Sequence, residues 1–125
     1  MVEIVLVALG SALGALSRFA LGQWFLRIDS RFPLLATLGV NLSGCGLAGL
    51  FAGSAWQSHE LLAGFLATGF LGSYTTVSSF SLETLGLWQS GRRGRAAVYV
   101  LLSMLGGLLL AWAGWLLAAR MVGLS

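Results

Sequence analysis

The chain has no lysine, one proline, one cysteine, one histidine and one asparagine, and only 9% of its residues are charged. Each shortage excludes something. A lone Cys45 rules out an intrachain disulfide. His59, beside Glu60 but with no second histidine or cysteine near it, does not make a metal site of the zinc type. A soluble domain carries about 25% charged residues, so a charged surface around a small core is not the design. The formal net charge of +3 comes from arginine alone. Apart from Arg18, those arginines lie at segment ends, which fits membrane topology better than nucleic-acid binding. Met1 is not followed by a basic stretch and Glu3 is acidic, so a cleaved signal peptide is not expected. A Ser–His–Asp set, paired catalytic acids and a phosphate-binding glycine loop are also missing. Enzyme chemistry has no visible carrier.

What remains is apolar: 58% of the residues are hydrophobic. The length allows a single domain, residues 1–125. Four apolar segments are expected, at about 4–26, 32–56, 61–88 and 96–119. Each reaches the roughly 20 helical residues that a hydrocarbon core of about 30 Å requires. Pro33 suits the first turn of the second. Trp24, Trp56, Trp88, Trp112 and Trp115 mostly sit near segment ends, where amphipathic rings anchor at the interface. The composition therefore predicts an all-α membrane protein with four transmembrane helices, short joints and no soluble domain.

One stretch breaks the apolar pattern. Residues 69–83, GFLGSYTTVSSFSLE, carry Ser73, Tyr74, Thr75, Thr76, Ser78 and Ser79 inside the third segment. In lipid each unsatisfied polar group costs several kcal/mol, roughly. These groups must face protein, water or an ion. Gly69 and Gly72 precede them and relax the backbone, and the hydroxyls compete for helical hydrogen bonds. The third helix is expected to be interrupted near Gly72–Thr76. The cut ends of a broken helix can hold ions; the plainer reading is a Ser/Thr packing face between helices.

Other polar residues lie within the spans. Gly10, Gly14, Arg18 and Gly22 recur every four residues on one face of the first segment. Arg18 is below the interface or in a water-filled funnel, and its readings are a structural anchor or an attractor of anions. Thr37, Asn41 and Cys45 share a face of the second segment; Gly39 and Ser43 share another. Asn41 is read either as a bond across helices or as a donor aimed at an anion. Thr76, Phe80 and Glu83 form a stripe on the third segment, with Ser79 and Glu83 four apart. A carboxylate inside a span is a functional candidate by default. Tyr99 and Ser103 are four apart on the fourth segment, followed by Gly106 and Gly107, where plain small-residue packing also fits.

GSALGALSRF at 10–19, ATLGVNLSGCGLAGL at 36–50 and GFLGSYTTVSSFS at 69–81 together resemble the Fluc (CrcB) family of fluoride channels. Length and the layout of four spans agree, and the resemblance covers essentially the whole chain. It implies an antiparallel, dual-topology homodimer in a bacterial plasma (inner) membrane, with a broken third helix and parallel pores along the dimer interface. Those pores pass fluoride passively out of the cytoplasm. It implies a structural sodium ion at the dimer centre, held by backbone carbonyls at positions matching Gly72 and Thr75. Asn41 matches the pore asparagine, Phe80 one phenylalanine of the family pair, Arg18 the vestibule arginine, and Glu83 a polar group near one pore end. Tyr99 and Ser103 align with the fourth-helix track by spacing. Thr37, Thr76, Ser78 and Ser79 complete the expected anion path. One position departs: the family reads TTFSTFS where this chain reads TTVSSFS, so Val77 stands in place of a phenylalanine. A phenylalanine presents a positive ring edge to an anion, and valine does not. Val77 either slows conduction or walls the pore.

Two other readings compete. A small four-helix multidrug exporter would resemble its kind in placing an acid deep in the first helix, where this chain has Arg18 and only a terminal Glu3. A structural membrane subunit without transport leaves Asn41, Glu83 and the hydroxyls unexplained. The arginine pattern adds a tension. Arg27, Arg31, Arg92, Arg93 and Arg95 lie in the first and third joints, and Arg120 alone lies on the opposite side. Asp29 offsets this little. The bias favours one orientation, with the termini outside, whereas a dual-topology protein needs almost none. The antiparallel homodimer is preferred, because a central site made of identical breaks needs an inverted two-fold partner.

Overall fold

In lipid a backbone N–H or C=O finds no partner except within the protein, so the apolar runs fold as helices. The computed structural model describes residues 1–28 and 33–123. Helix α1 is Val2–Ile28 and α2 is Pro33–Gly53. A single tight turn, Ala55–Ser58, follows. Helix α3 covers residues 60–74: it is α-helical over Glu60–Ala63, opens into wider π-type turns over Gly64–Leu71, and tightens again over Gly72–Tyr74. Helix α4 is Val77–Gln89 and α5 is Arg93–Gly123. With residues 60–89 taken as one crossing, four segments among the described residues are long and apolar enough to span a membrane. At about 1.5 Å per residue, the 27 residues of α1 make about 40 Å of helix. The 13 residues of α4 make about 20 Å, less than a hydrocarbon core, so α4 reaches across only in series with α3.

The helix ends have local causes. The second segment, expected to reach 56, closes at Gly53. Ser54 takes over there: its hydroxyl donates to the Phe51 carbonyl at 2.7 Å and accepts the Trp56 N–H at 3.2 Å. The last helix begins at Arg93, before the expected 96, and the Arg93 guanidinium lies 4.7 Å over the Trp88 ring centroid. Gly91, at φ 84°, makes the reversal between α4 and α5. Asp29, Arg31 and the expected start of the second segment at Phe32 lie outside the described residues.

Two seams of small residues join the helices. Along the first, α2 runs against α5: a Cβ added at Gly49 would collide with the Ala111 carbonyl, and added Cβ atoms on Gly53 and Gly114 would lie 2.5 Å from the Trp115 and Gly46 carbonyls. Along the second, α1 meets the wide turns of α3. There Gly10 and Gly14 face the Phe65 and Phe70 carbonyls, and Gly69 faces Val7. Gly22, expected on the same face, has open space around it. Close backbone approach supplies the van der Waals contact that drives helix association when lipid removes the hydrophobic driving force. Large apolar side chains such as Phe19, Leu82 and Leu108 point outward.

Overpacking a tight site costs about 1–3 kcal/mol or more. Gly49→Leu and Gly14→Val should therefore lower the melting temperature of the detergent-purified protein by several degrees or prevent its recovery as a monodisperse species. Gly22→Ala, where space is open, should melt at or a few degrees above wild type, because alanine favours the helix by about 1 kcal/mol over glycine. Equal melting of Gly49→Leu and wild type would contradict the α2–α5 seam.

Candidate functional site

Helical geometry stops at Tyr74 and resumes at Val77. Thr75 (φ −82°, ψ 156°) and Thr76 (φ −141°, ψ 118°) are extended. An extended peptide in the middle of a span needs substitutes for the lost helical bonds. Asn41 provides them: its Nδ2 donates to the Thr76 carbonyl at 2.9 Å, and its Oδ1 accepts the Thr76 N–H at 2.8 Å. The amide thus pairs with Thr76 as a neighbouring strand would. Its second N–H hydrogen remains. The Thr76 hydroxyl caps α4 by accepting the Ser79 N–H at 3.2 Å, and it also contacts the Ser78 hydroxyl at 3.2 Å.

These substitutions release carbonyls. In an unbroken helix the Thr76 N–H would serve Gly72 and the Ser79 N–H would serve Thr75. Here Thr76 bonds Asn41 and Ser79 bonds the Thr76 hydroxyl. The Gly72 and Thr75 carbonyls are thereby freed of their helical donors. Neutral carbonyl oxygens freed in this way suit a hard cation such as sodium, so the residues present fit the expected ion. Among the described residues no cluster of acids, histidines and cysteines could hold a transition metal.

One turn back along α2, Thr37 meets Glu83. The Thr37 hydroxyl donates to Glu83 Oε1 at 2.7 Å, and the Tyr99 hydroxyl donates to Glu83 Oε2 at 2.7 Å. An acid inside a span is costly without such partners, and each carboxylate oxygen here has one. Phe80 packs beside this group, its ring centroid 5.3 Å from that of Tyr99. A polar line therefore runs between α2, α4 and α5, from Tyr99 through Glu83 and Thr37 to Asn41, Thr76, Ser78 and Ser79. Ser103, one turn beyond Tyr99, is half-buried and has no side-chain hydrogen bond among the described residues. Val77 is 76% exposed, and Ser78 is also exposed. Arg18 is half-buried on α1 and joins neither group.

Sequence reasoning missed the contacts between helices, the bond of Tyr99 to Glu83 and its ring contact with Phe80 among them. Thr37 and Glu83 were not expected to pair, and Ser43, set apart from Asn41 by helical spacing, reaches the Tyr74 hydroxyl at 2.8 Å. Spacing within one helix carries no signal for a bond between helices.

Comparison with known proteins gives a consistent picture. The family model for CrcB-like protein, Camphor Resistance (CrcB), matches residues 5–115. A Stutzerimonas stutzeri protein named Fluoride-specific ion channel FluC is 47% identical over 115 residues, covering 90% of this chain and 93% of the relative. An Azotobacter vinelandii protein of the same name is 48% identical over 118 residues, covering 89% and 92%. A Moorella thermoacetica protein, Fluoride-specific ion channel FluC 2, is 44% identical over 119 residues, covering 92% and 95%. With the matched region reaching from α1 into α5, and with relatives this similar along nearly their whole length, the chain belongs to the CrcB family.

Proposed function

We propose that this multi-pass membrane protein is a fluoride channel that releases cytoplasmic fluoride passively across a bacterial plasma (inner) membrane. The observation that carries the reading is the polar line on α2, α4 and α5, joined at the Asn41–Thr76 pair. The names of its relatives give the ion. Neither an exporter with a deep acid in its first helix nor a purely structural subunit accounts for that line, and no enzymatic step is assigned.

Fluoride is small and strongly hydrated, so a path must replace its water with donors. The free Asn41 hydrogen and the hydroxyls of Thr37, Thr76, Ser78, Ser79, Tyr99 and Ser103 supply them. Glu83 holds the Tyr99 and Thr37 hydroxyls in place. An anion arriving beside them competes with the carboxylate for the same hydrogens and is repelled by its charge. That keeps binding weak enough to leave, which conduction requires. Phe80 offers its ring edge. Arg18 raises the local anion concentration at the mouth. The working unit is an antiparallel dual-topology homodimer with the broken third helices crossing at its centre. Gly72 and Thr75 carbonyls from both copies would hold a sodium ion there, which supplies a fixed positive charge between the breaks.

Fluoride efflux from proteoliposomes tests the reading directly: expected is rapid release, and none would return the choice to the exporter or the structural subunit. Asn41→Asp exchanges the donor to Thr76 for a repelling charge and should abolish efflux, while Phe80→Leu should reduce it by about tenfold or more, a loss of over 1 kcal/mol. Wild-type efflux from folded, dimeric Asn41→Asp would remove Asn41 from the path.

Val77→Phe should keep or raise throughput, since the position is exposed and a ring edge suits an anion. A block would mean that the pore has repacked around valine.

Orientation is checked by cysteine labelling. A single cysteine in the joint at 89–95, in a Cys45→Ser background, should react from both faces of intact cells. Labelling from one face only, with the chain expressed alone, would replace the homodimer by a pairing with an inverted paralogue.

A further inference from the structure

The extended pair Thr75–Thr76 is gripped on both sides by one short piece of α2. Asn41 holds Thr76 on the α4 side. On the α3 side, Ser43 holds Tyr74, whose hydroxyl lies 2.8 Å from the Ser43 hydroxyl. The direction of that bond follows from valence. The single Ser43 hydroxyl hydrogen goes to the Val40 carbonyl at 3.0 Å, so Tyr74 donates and Ser43 accepts. One residue beyond Ser43, Gly44 leaves the space into which the Thr75 methyl fits, and a Cβ there would collide with it. Thr75 also turns its own hydroxyl back to the Leu71 carbonyl at 3.1 Å. Tyr74 is 5% exposed and its ring stacks on Phe70 with centroids 5.6 Å apart. It is the last helical residue before the peptides that expose the Gly72 and Thr75 carbonyls.

We infer that the Tyr74–Ser43 hydroxyl pair is a positioning device, which fixes the end of α3 so that the Gly72 and Thr75 carbonyls point at a common cation. The inference rests on the sodium reading above. A tyrosine ring alone fills the space. The hydroxyl adds a direction, because it ties the end of α3 to a fixed point on α2 half a turn from Asn41. Without it, the last turn of α3, Gly72–Tyr74, can twist while Asn41 still holds Thr76. The Gly72 and Thr75 carbonyls then lose their shared aim, and carbonyl sites depend on simultaneous contact.

The test uses Tyr74→Phe, which keeps the ring and its stack and leaves Ser43 bonded to Val40. Thermal melting of the purified full-length protein is followed across a sodium titration at constant ionic strength, with N-methylglucammonium as the replacing cation. Wild type should melt higher as sodium rises, following binding linkage. Tyr74→Phe should melt slightly below wild type without sodium, by the cost of one buried hydrogen bond, and in addition need about three- to tenfold more sodium for the same rise. Ser43→Ala should shift the midpoint similarly, and the double variant should add little to either. A sodium response in wild type with an unchanged midpoint in Tyr74→Phe overturns the inference and leaves the sodium reading standing. An equal drop in melting temperature at every sodium concentration overturns it too, because the pair would then be only a structural tie. No sodium response in wild type overturns both.

Discussion

Everything in this protein turns on how two peptides are satisfied at membrane depth. Between Tyr74 and Val77 the helical ladder lapses. Each buried N–H or C=O left alone there would cost roughly several kcal/mol. Asn41 meets both polar groups of Thr76 with one side chain. A primary amide is the side chain that can do this, because it carries donor and acceptor side by side in the geometry of a peptide. Aspartate lacks the donor, and leucine, of similar volume, lacks both. The interruption can persist because a neighbouring helix supplies a piece of peptide-like surface at the right height.

The same helix organises the remaining polar groups. Thr37 and Asn41 are one turn apart on α2, and each receives a group from the third crossing: Glu83 for Thr37, Thr76 for Asn41. Tyr99 closes the line from α5. Placed between three helices, hydroxyls and a carboxylate satisfy one another and stay out of lipid. The proposed conduction path needs this. A donor already bonded to an acceptor can exchange it for a passing anion at little net cost, whereas a donor facing lipid would have nothing to exchange.

The chain's membrane character was fully legible in the sequence, because long apolar runs separated by arginines leave few other solutions. The family was legible in three short stretches, of which residues 69–81 were the most specific. The wide turns at Gly64–Leu71 were not legible. They lie where the backbone of α1 comes closest to α3, at Gly10 and Gly14, and periodicity within one segment cannot report an approach by another. Helix ends differed from the hydropathic limits where side chains intervened: Ser54 closes α2 early, and Arg93, lying over Trp88, lets α5 begin early. Of the candidate site, residue types were readable, but pairings such as Thr37 with Glu83 and Ser43 with Tyr74 were not. They arise from the relative height of helices that only tertiary packing sets.

The glycine seam between α2 and α5 has a dynamic consequence. Gly49, Gly53 and Gly114 each abut a carbonyl of the opposite helix, so backbone meets backbone with no side chain between. Side chains can change rotamer to let one helix slide past another; bare backbone cannot. A shift of one residue along this seam would drive carbonyls into Cβ atoms. Piston or shear motion of α2 against α5 is therefore resisted at these glycines, which hold the relative height of the helices that carry Asn41 and Tyr99. Motion during transport is thereby left to side chains, or to the third crossing where its helix gives way at Thr75 and Thr76.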